Sequence, residues 1–191
     1  MYVPPHFSVP GKETLTRLLP EASFALLVSA GEDGVPIASH LPFSYDEDRG
    51  EYGTLIAHMA RANPHGQLLE KGEALVIFQG PHAYISPRYY ATNVNVPTWN
   101  YVAVHAYGTP RIIEDRDKIR MLLDQLTLDN EKATVEPWSA DELDPKRIEG
   151  LMRGIIAFEI PIDRLEGKAK LGQNKSAEDQ AAVEAAIGKL W

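Results

Sequence analysis

The first half of the chain alternates short apolar runs with polar turns, and the second half changes to a helical period. Ser23–Ala30 is a short apolar run. Gly31-Glu32-Asp33-Gly34 after it is a turn of the Asp-Gly kind, and Val35–Phe43 returns as a second strand, which predicts a hairpin. Asp46–Gly50 is another polar turn before a strand from about Tyr52 to His58. Ala74–Phe78 is a continuous apolar run, the pattern of a buried strand. Trp99–Gly108 alternates bulky and small residues, and Arg111–Ile113 continues it beyond Pro110.

Ile119, Leu122, Leu123 and Leu126 then fall on one face of a helix. A second helix is predicted from about Ala140 to Met152, and Ile155–Ile160 reads as a last barrel strand ended by Pro161. Ser176 with Asp179 resembles a capping box ahead of Val183, Ala186, Ile187 and Leu190. Many strands at short spacing with helices added late predict an α+β, mainly β protein, built on a β-barrel with peripheral helices, with an open sandwich as the alternative. Regular strand–helix alternation, GxGxxG and GxxxxGK[ST] are all missing, which argues against the usual dinucleotide and triphosphate folds.

Composition narrows the chemistry. The 191 residues contain no cysteine, which excludes disulfides, thiolate metal sites and cysteine nucleophiles. The opening Met1–Phe7 has neither the basic nor the apolar region of an export signal, and no apolar run approaches the roughly 20 residues of a membrane helix. A cytoplasmic location is therefore expected. Net charge is −8, from 19 basic and 27 acidic residues. Since phosphate neutralisation supplies most DNA affinity, direct DNA binding is unsupported by charge. The six histidines show no HExxH or other close metal-ligand pair, and there is no GxSxG elbow, so no catalytic residue and no metal site is nominated.

Four segments are dense in polar and aromatic groups. Leu55–Pro64 delivers His58, Arg61 and Asn63 into a turn closed by Pro64, either a phosphate cradle or an ordinary polar loop. Gly80–Tyr90 holds two rigidifying prolines and three tyrosines, which suits stacking on a ligand or packing at a barrel rim. Asn93–Tyr101 places amides beside Trp99 and Tyr101, which suits a planar heteroaromatic ligand or a subunit interface. Lys168–Lys175 offers basic and amide side chains that reach a ligand or form a solvated lead-in to the last helix.

Together these segments resemble the PaiB family, FMN-binding negative transcriptional regulators. The resemblance rests on Met1–Phe7, His58–Pro64, Phe78–Pro87, Val96–Tyr101 and Lys170–Asn174, in family order along nearly the whole chain. It implies an FMN-binding split β-barrel over residues 1–165, with residues 166–191 as a helical appendage on the barrel or the dimer partner. It also implies a homodimer with FMN (flavin mononucleotide) in clefts at the subunit interface. His58, Met59, Ala60, Arg61 and Asn63 would hold the FMN phosphate, with Arg61 as main charge partner. Ile37, Ala38, Ser39 and His40 would lie along the flavin ring. Trp99, Asn100 and Tyr101, with Lys170, Gln173 and Asn174, would close the site from the second subunit. Two positions depart from the family pattern: Tyr89 replaces the commoner tryptophan, and Gly172 replaces a serine. The family's regulatory role in sporulation and degradative-enzyme synthesis is the implied function. The alternatives are an FMN-dependent oxidoreductase of a small substrate, or a flavin- or haem-binding protein that makes no DNA contact.

Overall fold

The computed structural model describes residues 1–92 and 94–191, with the side chains of residues 20–22 left aside. Asn93, the first residue of the amide-rich segment, lies outside the described residues. Among the described residues, nine strands form one antiparallel sheet: β1 (Ser8–Val9), β2 (Phe24–Ala30), β3 (Pro36–Asp46), β4 (Thr54–Ala60), β5 (Ala74–Ile85), β6 (Thr98–Gly108), β7 (Arg111–Ile113), β8 (Ile155–Pro161) and β9 (Arg164–Lys170). Their spatial order is β1-β9-β6-β5-β2-β3-β4-β8-β7. Four helices are peripheral: α1 (Gly11–Ala22), α2 (Arg116–Glu131), α3 (Pro145–Arg153) and α4 (Ala177–Ile187). This is the expected α+β, mainly β architecture.

The predicted hairpin is β2–β3, paired from Phe24 with Pro42 to Ala30 with Pro36. Its turn is closed by Gly31 N–H donating to the Val35 carbonyl at 2.9 Å, with Gly34 at φ +79°, a conformation that favours glycine. Alternation then decides the faces. Ala25 and Leu27 of β2, Val76 and Phe78 of β5, and Val102 and Val104 of β6 turn inward and are buried. Phe43 sits where the two halves of the sheet meet, with edge-on rings of Phe78 and Phe158 at 6.0 and 6.4 Å.

Helix α1 plugs one mouth of this barrel with Leu15 and Leu18, which are fully or almost fully buried. The pattern of apolar positions does not predict this helix. Its stripe of Leu15, Leu18 and Leu19 is present, but Pro20 interrupts the pattern. The ends of β6 and β8 come together at Gly108, where an added Cβ would lie 2.1 Å from the Pro161 carbonyl oxygen. The adjoining turn is tied by Asp163 N–H donating to the Tyr107 carbonyl at 2.8 Å.

Two elements differ from expectation in ways that matter for the site. Ile155–Pro161 is not the last strand: the chain turns at Ile162-Asp163 and returns as β9, paired with β6 from Tyr107–Arg164 to Tyr101–Lys170. The sheet thus runs through Lys170, and Lys168 and Lys170 are strand residues rather than a lead-in to a helix. The second predicted helix is broken into a 3-10 turn, Ala140–Glu142, and α3, because Pro145 starts a new helix capped by Asp144.

Candidate functional site

The residues of the His58–Asn63 segment separate as soon as β4 is formed. Successive strand residues face opposite sides, so Met59 enters the core at 2% exposure while His58 points outward beneath α2 and α3. Ala60 ends the strand and is exposed. Arg61 is exposed, and its guanidinium donates from Nε to the Arg153 carbonyl (2.9 Å) and from an Nη to the Ile155 carbonyl (2.6 Å). It therefore clasps the α3–β8 junction while leaving other N–H groups free. Asn63 caps the 3-10 turn Pro64–Leu68: Oδ1 accepts from His65 N–H at 3.0 Å, and Nδ2 donates to Ser39 Oγ at 3.1 Å.

His65 was missed in the sequence, although Asn-Pro-His at a turn is the pattern of a capped 3-10 start. It is fully buried, its Nδ1 is 2.9 Å from Ser39 Oγ, and burial holds its pKa below the ordinary histidine value. On β3, Ile37 and Ser39 are half-buried, whereas Ala38 and His40 lie on the exposed face. His40 stacks on Phe24, which is 65% exposed, with ring centroids 6.1 Å apart.

A second group lies across the sheet. The β5–β6 pairing shifts register between Gln79 and His82, at Gly80-Pro81, where the proline has no N–H for the ladder. Beyond the shift the hairpin presents Tyr84 and Trp99, edge to face at 5.8 Å, with His82 6.3 Å from Trp99. Trp99 and Tyr101 share one face; Asn100, between them, turns to the other and is buried beside Leu171 and Trp191. Lys170 Nζ donates to Thr98 Oγ1 and to the Trp99 carbonyl, both at 2.5 Å. Lys168, only 7% exposed, donates to the Tyr2 carbonyl at 2.9 Å and lies 5.2 Å from the Tyr101 ring. Lys175 donates to Asn95 Oδ1 at 2.7 Å.

Among the described residues, none of these three lysines has a carboxylate within 4.0 Å. Burial first, and then Lys168 and Lys175, push the Lys170 pKa below the ordinary lysine value. Such a cluster of ammonium groups, bonded only to neutral oxygens, attracts an anion. Gln173 closes the following turn on itself, accepting from Leu171 N–H (2.8 Å) and donating to the Ala169 carbonyl (2.5 Å), while Asn174 is exposed. Gly172 has φ +88°, which accounts for glycine at that position.

The chain thus brings Ser39, Asn63 and His65 together, and separately Trp99, Tyr101, Lys168 and Lys170. The two groups are separated along the sheet by the strand order β9-β6-β5-β2-β3, four spacings or about 19 Å. A cleft of about 630 Å³ between the end of α1, β3 and α2 is lined by Phe43, Tyr45, Leu126 and Asn130, and holds none of the residues of either group. Among the described residues no three His, Asp or Glu side chains are grouped to hold a metal ion, and no helix is long and apolar enough to cross a membrane.

Comparison with known proteins fits this architecture. Residues 1–164 match the family described as "Putative FMN-binding domain". The chain is 38% identical over 184 residues to protease synthase and sporulation protein PAI 2 of Bacillus subtilis, covering 96% of this chain and 87% of that one. Two solved structures share the fold. The FAD and heme binding protein from Mycobacterium smegmatis has a TM-score of 0.60 at 22% identity, over 93% of this chain and 78% of that one. The flavocytochrome Anf3 from Azotobacter vinelandii has a TM-score of 0.56 at 19% identity, over 88% and 72%. Sequence and fold together make this chain a member of the PaiB family of FMN-binding split-barrel proteins.

Proposed function

We propose that the protein acts as a homodimer that holds FMN in two clefts between subunits and serves as a flavin-responsive regulator of the PaiB type. The observation that carries this reading is the outer face of β2, β3 and β5. Leu26, Val28, Leu75 and Ile77 are partly exposed there, beside the exposed Phe24 and Ala38. An apolar sheet face of this kind is suited to an isologous contact with a second copy. A two-fold axis through it would carry one chain's Lys170 group toward its partner's β3 and Arg61, two half-sites that a single chain keeps about 19 Å apart along the sheet.

The residues fit a phosphorylated planar ring. Arg61 retains free N–H groups toward a phosphate, and Ile37–His40 offers an extended edge for the ring. Trp99, Tyr101 and Lys170, with Gln173 and Asn174, supply stacking surface, positive charge and amides from the second subunit. When bound, FMN would supply the redox chemistry, and the protein its binding, orientation and shielding from water. The relative from Bacillus subtilis is named for protease synthesis and sporulation, and this supports a regulatory role here. The net charge of −8 favours regulation through a partner over direct grip on DNA.

The test is the visible spectrum and sedimentation of the purified protein titrated with FMN. A dimer that takes up one flavin per chain is expected, with Arg61→Ala weakening uptake. A monomer indifferent to FMN would sink the reading. An FMN-dependent oxidoreductase is the second reading, favoured by the anion-seeking lysines beside exposed aromatic rings. Bleaching of the bound flavin by NADH or NADPH without oxygen would select it.

A further inference from the structure

Beneath α2 and α3 lies a cavity of about 260 Å³, floored by β4 and β8. Leu123, Leu143, Ile148, Leu151, Met152 and Ile155 form its aliphatic walls, and Trp138 and His58 also line it. The covering helices are weakly engaged with the barrel. Leu122 is the sole buried residue of α2, and α3 has none. Leu151 and Trp138 remain 56% and 42% exposed although both line the cavity. Two apolar side chains this exposed on a lid leave apolar surface for something else to cover.

His58 gives the cavity its chemistry. Among the described residues its Nδ1 is buried without a hydrogen-bond partner, an arrangement that a lone pair tolerates better than an N–H. The proton accordingly resides on Nε2, a donor on a ring that lines the cavity. Burial keeps this imidazole neutral by lowering its pKa. The charged groups at the rim are already matched: Arg120 donates to Asp124 at 2.8 and 2.7 Å and to Asp141 at 2.7 Å. With two carboxylates on one guanidinium, the rim repels an anion. Thr127, which also lines the cavity, donates its hydroxyl proton to the Leu123 carbonyl at 2.8 Å, which leaves its oxygen only acceptor capacity.

We propose that this cavity is a binding site for a neutral, planar hydroxylated aromatic molecule, its ring held between Trp138 and the aliphatic walls and its oxygen hydrogen-bonded to His58. A hydroxyl both accepts from the imidazole N–H and donates to an acceptor such as Thr127, whereas an alkyl arene would leave the imidazole unpartnered. His58, expected from the family resemblance to join the phosphate holders, lines this cavity instead, while Arg61 engages the α3–β8 junction; the site therefore stands whether or not the flavin reading holds.

2-Naphthol, a bicyclic phenol, is a suitable probe, and Trp138 reports on this cavity alone once Trp99 and Trp191 are replaced by phenylalanine. Titration of the full-length protein is expected to quench tryptophan emission saturably, at one probe per chain. His58→Phe keeps the ring volume but removes the donor, and should weaken binding about tenfold, as loss of one buried hydrogen bond implies. Leu151→Trp fills the cavity and should abolish binding with the circular dichroism spectrum unchanged; if it does not fold, Ile148→Trp serves the same end. Absence of saturation in the wild-type protein, or full affinity retained in either the His58 or the cavity-filling variant, would overturn the proposal.

Discussion

Ser39 Oγ and His65 Nδ1 lie 2.9 Å apart, although the residues are 26 positions distant in the chain. Asn63 Nδ2 donates to the same oxygen at 3.1 Å, so one hydroxyl joins the amide and the imidazole. This knot anchors the start of β3 to the turn that follows β4, and so positions the strand proposed to lie along the flavin. Ser39→Ala leaves the Asn63 amide and a fully buried imidazole nitrogen without their partner. A loss of about 1–3 kcal/mol is expected, read from the urea midpoint, with Ser39→Thr retaining most of it.

Burial lowers the pKa of His65, as it does for His58 and, first among several causes, for His105. In the unfolded chain these rings take up protons near the ordinary value of 6.5. The unfolded state therefore binds more protons than the native one as pH falls below that value. Their contribution is full above pH 6.5 and is lost as pH falls toward the lower folded-state values. The urea midpoint should drop from pH 7.5 to pH 5, and His65→Gln should flatten that drop. An identical pH slope in the variant would contradict the assignment.

The meeting of β6 with β8 depends on Gly108, whose position leaves no room for a methyl group beside the Pro161 carbonyl. Gly108→Ala must push two backbones apart. A cost of about 1–3 kcal/mol is expected, as for overpacking elsewhere, measured by thermal unfolding. Gly72→Ala is the control, since nothing lies within 4 Å of its added Cβ.

Asp179, at the start of α4, accepts from Thr92 N–H (2.9 Å), Thr92 Oγ1 (2.9 Å) and Asn95 Nδ2 (3.0 Å). It ties the last helix to the loop that leads into Thr98 and Trp99. Asp179→Ala should speed amide hydrogen exchange at Thr92 and in residues 94–96 while leaving the β2–β3 hairpin unchanged. Equal protection in both proteins would show that the tie is dispensable.

If the outer face of β2 and β5 joins two copies, a charge at its centre must be desolvated on association. The double variant Leu26→Glu, Ile77→Glu is expected to sediment as a folded monomer and to bind FMN at least tenfold more weakly. A dimer with unaltered flavin uptake would place the interface elsewhere.

The strand runs, the β2–β3 hairpin, the late helices and the family motifs were all legible along the chain, because hydrophobic period and turn chemistry are local properties. The strands β1 and β9 and the helix α1 were not, and the helix expected over Ala140–Met152 runs across the break at Pro145. Lys168 and Lys170 look solvated by composition, and only their pairing with β6 buries one of them; Pro20 obscures the stripe of α1. For the site, the sequence by itself determined which residue types were available: an arginine and an asparagine near a Pro turn, aromatics beside amides, and lysines near the end. It did not determine their directions. His58, Met59 and Arg61 are neighbours in sequence, yet the alternation of β4 sends His58 outward and Met59 into the core, and the α3–β8 junction engages Arg61. Trp99 and Asn100 part in the same way. Tertiary structure decided these outcomes because side-chain direction depends on register, and register is set by long-range pairing between strands far apart in the chain.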